Sequence, residues 1–181
     1  MTLAREMALE SEYVMGTFAR KPVEFVEGHG MTLIDDAGNE YLDFLSGIGV
    51  CSLGHCHPSI VQAVSDQAAK LIHVSNYYYI EHRGEVAQLL SNMLNAYVDE
   101  PSPETWKTFF ANSGAEANEC AIKLARLYAR RRTEAAGKDA ELAPRLIVTL
   151  AKSFHGRTLA TLAATAQPAK QEAFQPLPAG F

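Results

Sequence analysis

The chain has 181 residues, 48% of them hydrophobic and 20% charged. That composition suits one globular domain, or one domain with part of another, built on an apolar core. Lys and Arg number 16 against 21 Asp and Glu, a formal charge of −5, which argues against nucleic acid as the main partner because phosphate backbones demand clustered positive charge. The basic run Arg130-Arg131-Arg132 falls at the end of an expected helix, where it complements the helix dipole. The three cysteines, Cys51, Cys56 and Cys120, are odd in number and form no CxxC pair. With no apolar leader and no membrane-length apolar run in the sequence, they point to a reducing, cytoplasmic setting.

In chain order, residues 2–18 are expected to form an amphipathic helix opened by Thr2. From Val23 to Leu45 the apolar period changes to two. Val23 and Phe25 make one run, Met31 to Ile34 a second and Tyr41 to Leu45 a third, with Glu27-Gly28-His29-Gly30 and Asp35-Asp36-Ala37-Gly38-Asn39 between them. This pattern predicts a three-stranded antiparallel meander. A glycine-rich connector then ends in Gly54-His55-Cys56-His57-Pro58.

Pro58 suits the first turn of a helix, whose apolar stripe is Ile60, Val61, Val64, Ala68, Leu71 and Ile72. A second helix carries Val86, Leu89, Leu90, Met93 and Leu94. After the proline-rich stretch at Pro101 and Pro103, a strand is expected from Thr105 to Phe110, a helix from Gly114 to about Arg132, and a strand from Leu146 to Leu150. No hairpin-length link joins these strands, so their order implies a right-handed parallel crossover. On this reading residues 1–57 form a helix-and-meander segment and residues 58–181 begin a larger α/β domain. Two strands are few for a parallel sheet, so that domain reads as incomplete. No internal repeat or low-complexity segment is present.

The segment Phe110-Ala111-Asn112-Ser113-Gly114-Ala115-Glu116-Ala117-Asn118-Glu119 runs from an expected strand through a polar turn into a helix. Ser113 and Glu116 have the spacing of a capping box. Gly114, lacking a Cβ, lets a ligand approach the amides, and free amides at the positive end of a helix dipole make an anion site. Plain helix capping explains the same residues. Nucleotide motifs are absent: there is no GxxxxGK[ST], and the spacing of Gly47, Gly49 and Gly54 is not GxGxxG. Ser153-Phe154-His155-Gly156-Arg157-Thr158 follows the second expected strand. If the strands are parallel neighbours, both segments lie at their carboxyl ends, where open α/β sheets bind ligands. Phe154 could then stack on a planar ring whose phosphate meets Ser113, Gly114 and Ala115, and Arg157 offers a planar fork for a carboxylate.

These two segments, with Gly54-His55-Cys56-His57-Pro58 and Asp43-Phe44-Leu45-Ser46-Gly47-Ile48, resemble signatures of the class-III, ornithine- and acetylornithine-type pyridoxal-phosphate-dependent aminotransferases. The resemblance covers nearly the whole chain in order. It implies the N-terminal part of a type I pyridoxal-phosphate-dependent transferase fold, a small β-meander segment followed by the start of a mainly parallel three-layer α/β domain. It also implies that Ser113, Gly114 and Ala115 bind the phosphate of pyridoxal 5'-phosphate, that Phe154 stacks on its ring, and that Arg157 clamps the substrate α-carboxylate.

Ornithine aminotransferases resemble this chain with a tyrosine in place of Ile48. Gly47-Ile48-Gly49-Val50 and Ser75-Asn76-Tyr77-Tyr78-Tyr79 are similar instead to the acetylornithine branch. An aliphatic side chain at Ile48 removes a hydroxyl that could meet a free amine, which suits an acylated one. The resemblance thus implies transamination between N-acetylornithine and 2-oxoglutarate in a homodimer, with the succinylornithine, succinyl-diaminopimelate and ornithine activities open. The family's Schiff-base lysine, and the aspartate paired with the pyridine nitrogen, come later than any segment here. Lys152 is therefore expected to be a surface loop lysine, no catalytic residue is assigned, and the 181-residue chain alone is expected to be inactive. A natively short chain would instead be a non-catalytic module that binds phosphate or the cofactor. His55 and His57 offer at most two ligands on one side, too few for a metal site.

Overall fold

The computed structural model describes residues 2–98 and 105–181, so Pro101 and Pro103 lie outside the described residues. The chain forms two compact units, one up to Ile80 and one from Glu81 onward.

The first unit opens with α1, Leu3–Tyr13. It is shorter than the expected 2–18. Val14 leaves helical geometry, and Val14, Gly16 and Thr17 are weaker helix formers than the residues before them. The meander is present as β1 (Phe25–His29), β2 (Thr32–Asp35) and β3 (Glu40–Leu42), paired antiparallel in chain order. β1 extends through the Glu27–His29 stretch expected as a separator, and the reversal falls instead on Gly30 and Met31, with His29 opposite Thr32. Gly28 is a close-approach residue within the strand. A Cβ there would stand 3.0 Å from Leu33 Cδ2 and 3.1 Å from the His55 ring base.

Asp35 closes the β2–β3 turn. Its carboxylate accepts from the N–H of Ala37 and Asn39, from Asn39 Nδ2 and from the Tyr41 hydroxyl, at 2.8–3.0 Å. The Asn39 side chain and these other donors hold its carboxyl below the ordinary value, and the bond to Asp35 pushes the Tyr41 phenol up. Phe25 packs edge-on to Tyr41 with ring centroids 5.3 Å apart. After β3 comes α2, Ser46–Gly49, a single turn of opposite hand. Ser46, Gly47, Ile48 and Gly49 all have positive φ, between 49° and 84°. Asp43 Oδ1 accepts from the N–H of Leu45 and Ser46, and Asp43 Oδ2 meets His55 Nε2 at 2.7 Å. α3 begins at Pro58, as expected, but ends at Lys70, so Leu71 and Ile72 fall outside it; Leu71 is already extended.

In the second unit α4 spans Arg83–Ala96 and α5 spans Gly114–Ala135. α5 ends on Gly137 at φ 70°, where Gly137 N–H bonds to Glu134 O and Lys138 N–H to Thr133 O, the paired bonds of a glycine-terminated helix. The helix outruns Arg132 by nearly a turn, and Arg130 pairs with Glu134 at 2.9 Å. The short helices α6 (Leu159–Ala164) and α7 (Pro168–Gln171) follow, with 3-10 turns at Ala140–Leu142 and Glu172–Phe174.

Thr105–Phe110 and Leu146–Leu150 do not pair as the expected parallel strands; neither is a strand in the structure. A strand exists only through a neighbour's ladder, and among the described residues neither segment has one. The nearest approach to parallel pairing is a single bridge between Ala151 and Ala166. Apolar burial is correspondingly sparse. Among the described residues only Ile122, Ala143, Leu162 and Ala164 are buried apolar side chains, while Leu146, Val148 and Leu150 are at least 80% exposed. No described helix is long and apolar enough to cross a membrane.

Both Asp35 and Asp43 titrate below the ordinary value of about 3.9. A depressed carboxyl contributes stability that is present above that value and lost as pH falls through the depressed one. Asp35→Asn should therefore lower the urea midpoint at pH ~7 and flatten its decline below pH ~4. Circular dichroism in urea at several pH values checks this; a variant with the parent's acid slope would show that Asp35 does not couple to folding.

Candidate functional site

Ser113 is the N-cap of α5, and its Oγ accepts from Glu116 N–H at 3.1 Å. The reciprocal half of the expected box is displaced by one residue: Glu116 Oε2 accepts from the N–H of Asn112 at 2.8 Å and from Asn112 Nδ2 at 3.0 Å. The cap uses an acceptor lone pair of Ser113 and leaves its O–H free to donate. Helix geometry leaves the first N–H groups without intrahelical acceptors. A Cβ on Gly114 would meet nothing within 4 Å. The start of this 22-residue helix is therefore an open cradle of donors at the positive end of its dipole.

The second singled-out segment, 153–158, is brought against the same end of α5. Gly156, buried at φ 137°, has no room for a side chain. A Cβ there would lie 2.6 Å from Thr161 Oγ1 and 2.8 Å from Ala115 Cβ. Asn118 Nδ2 donates to His155 O at 2.8 Å, and the Thr158 hydroxyl donates to Glu119 Oε1. His155 N–H donates to Thr165 Oγ1 at 2.9 Å, and Gln167 Nε2 donates to Ser153 O at 2.8 Å. The loop is thus tied to α5 on one side and to α6 and its C-terminal turn on the other.

On this scaffold Phe154 is 59% exposed. Its ring lies 5.9 Å from the Arg157 guanidinium carbon and 5.4 Å from Lys170 Nζ. Arg157 has no carboxylate partner among the described residues. Ser113, Gly114, Ala115, Phe154 and Arg157 are all carried by the second unit. Lys152 is exposed, at φ 64°, and its N–H bonds to Ala166 O at 2.9 Å.

Ile48 belongs to the first unit, where its side chain is 85% exposed on the left-handed turn. A β-branched residue is strained in that region. The turn is held by Asp43, whose carboxyl is kept low by the His55 ring first and by the N–H groups of Ser46 and Leu45. His55 therefore serves as the partner of Asp43, and His57 is the N-cap of α3.

Sequence reasoning missed the roles of Asn118 and Glu119 as ties to the loop, and of Lys170 beside Phe154. A signal for the first two was available: with Ala115 they sit at spacing i, i+3, i+4 and share one helix face. For Lys170 there was none.

Residues 17–181 match the family model described as aminotransferase class-III. Acetylornithine aminotransferase of Nitrosomonas europaea is 48% identical over 169 residues, covering 93% of this chain and 39% of that protein. The ornithine aminotransferase of Toxoplasma gondii superposes over 100% of this chain and 39% of its own, with TM-score 0.83 and 27% identity. A second structure of that enzyme, at TM-score 0.80 and 28% identity over 99% of this chain and 39% of its own, has pyridoxal phosphate at partial occupancy in its active site. The chain thus spans about two fifths of the length of the relatives it matches. A family match over 17–181, together with this α/β arrangement, means that the chain belongs to the class-III aminotransferases.

Proposed function

We propose that this chain forms part of a cytoplasmic, homodimeric transaminase that exchanges the amino group of N-acetylornithine with 2-oxoglutarate, using pyridoxal 5'-phosphate. Residues 1–57 are assigned to its small domain and residues 58–181 to its cofactor-binding domain. The observation that carries the reading is the lodging of Gly156 against Ala115, which places the Phe154–Arg157 loop beside the donor cradle of α5. The names of the matched relatives support the substrate assignment.

The residues present fit the cofactor. The open space at Gly114, the free O–H of Ser113 and the first-turn N–H groups suit a phosphate dianion. Phe154, more than half exposed, offers an aromatic ring to a planar one. When bound, the cofactor supplies an electron sink for the bond changes at the amino-bearing carbon. The chain's own part is to hold and orient. Ser113, Gly114 and Ala115 fix the phosphate, Phe154 fixes the ring plane, and the Arg157 fork pairs with the substrate α-carboxylate. Ile48 is assigned to the acylated end of the donor. Lys152 is assigned no covalent role.

Two substitutions in the enzyme should separate ring from carboxylate. Phe154→Ala should weaken cofactor retention by ~0.5–1.5 kcal/mol beyond lost contact area, read by dialysis. Arg157→Lys should keep the cofactor yet lower kcat/KM for both amino donors by roughly ten- to two-hundredfold, the worth of a charged hydrogen bond. Release of the cofactor by Arg157→Lys, with normal donor kinetics in saturating cofactor, would make Arg157 a phosphate ligand.

A third substitution addresses the donor. Ile48→Tyr should shift preference from acetylornithine toward ornithine by about tenfold to a few hundredfold, the range open to one pocket contact. An unchanged ratio of kcat/KM for the two donors would remove Ile48 from specificity.

A further inference from the structure

The Thr158 hydroxyl donates to Glu119, one turn into α5 beyond the phosphate cradle. Thr158 Oγ1 also lies 2.7 Å from Thr161 Oγ1, and Thr161 is fully buried. A hydroxyl has one proton to give. With the Thr158 proton committed to Glu119, Thr161 must donate toward Thr158, whose Oγ1 and carbonyl oxygen lie 2.7 and 3.2 Å away. The carboxylate of Glu119 therefore sets the direction of the hydrogen bonds beneath the loop.

Arg157 stands between two anchored neighbours. On one side Gly156 is wedged against Ala115 and Thr161, and its carbonyl oxygen lies 3.3 Å from Thr165 Oγ1. On the other side the only side-chain ties of Thr158 among the described residues are those to Glu119 and Thr161. Glu119 makes no ion pair with a guanidinium among the described residues. We propose that Glu119 is a positioning residue: through Thr158 it fixes the backbone that carries Arg157 and leaves the guanidinium fork free for an incoming carboxylate. This rests on the reading of Arg157 as the carboxylate clamp. It adds a residue, remote in sequence from Arg157, on which that clamp depends.

The test uses the holoenzyme and glutarate, a dicarboxylate with no amino group to transfer. Glutarate affinity is measured by calorimetry, cofactor retention by dialysis, and loop order by tryptic cleavage of the Arg157–Thr158 bond. Glu119→Leu should weaken glutarate by about tenfold, the scale of a lost charged hydrogen bond. It should open Arg157–Thr158 to trypsin and leave cofactor retention unchanged. Thr158→Val, which keeps the side-chain volume, should do the same from the other partner and guards against a Glu119→Leu chain that fails to fold. Glu119→Gln keeps an acceptor oxygen and should restore both glutarate binding and protease resistance. Unchanged glutarate affinity in Thr158→Val overturns the proposal, as does a Glu119→Gln variant as weak as Glu119→Leu, or a joint loss of glutarate and cofactor. Arg157→Lys is the control for the underlying reading. If it leaves glutarate binding intact, the clamp assignment fails; if it weakens glutarate while Glu119→Leu does not, only the positioning role fails.

Discussion

A buried hydroxyl that lacks a partner costs about 1–3 kcal/mol, more than a made hydrogen bond contributes, so fully enclosed threonines constrain whatever surrounds them. Thr161 and Thr165 are the most enclosed large side chains among the described residues. Thr165 Oγ1 serves His155 N–H, Gly156 O and Thr161 O at once, as one acceptor contact and two possible donor contacts. Satisfying these two residues dictates where the 153–158 backbone runs. The bonds from Asn118 and Glu119 then secure that backbone to α5. Order in the second unit thus comes more from directional polar bonds than from apolar bulk, and such networks specify one geometry because a partial network is costly.

The first unit uses carboxylates in the same way. Asp35 collects four donors within its turn, and Asp43 joins the start of α2 to His55. His55 in turn exchanges two backbone bonds with Gly30, at 3.0 and 2.8 Å. The left-handed turn therefore rests on the meander through a short series of polar contacts.

The parts legible in the sequence are those whose cause is local. The period-two runs gave the meander, Pro58 opened α3, and Ser113 with Gly114 opened α5. What was not legible depends on residues distant in the chain. Gly28 looks like a turn glycine until His55 is seen to pack on it. Thr105–Phe110 and Leu146–Leu150 have the composition of strands, yet a ladder needs neighbours that composition does not supply. At the site, the cradle and the Phe154–Arg157 segment were readable as separate pieces. Their joining was inferred from an expected parallel sheet, whereas the structure joins them through a glycine contact and side-chain bonds spanning 37 and 39 residues. Glu116 reaching Asn112 rather than Ser113 is a similar case, a shift of one residue below the resolution of a motif.

Ile48 holds a conformation that suits glycine or asparagine, with its side chain largely uncovered. The backbone cost of such a residue is on the order of 1–3 kcal/mol. Most random substitutions lower stability, but at this position a change to glycine would relieve strain without emptying a core. Mutational drift under selection for folding alone would therefore carry position 48 away from isoleucine. If Ile48 meets the acylated end of the donor, as proposed, position 48 is a place where stability and selectivity are opposed.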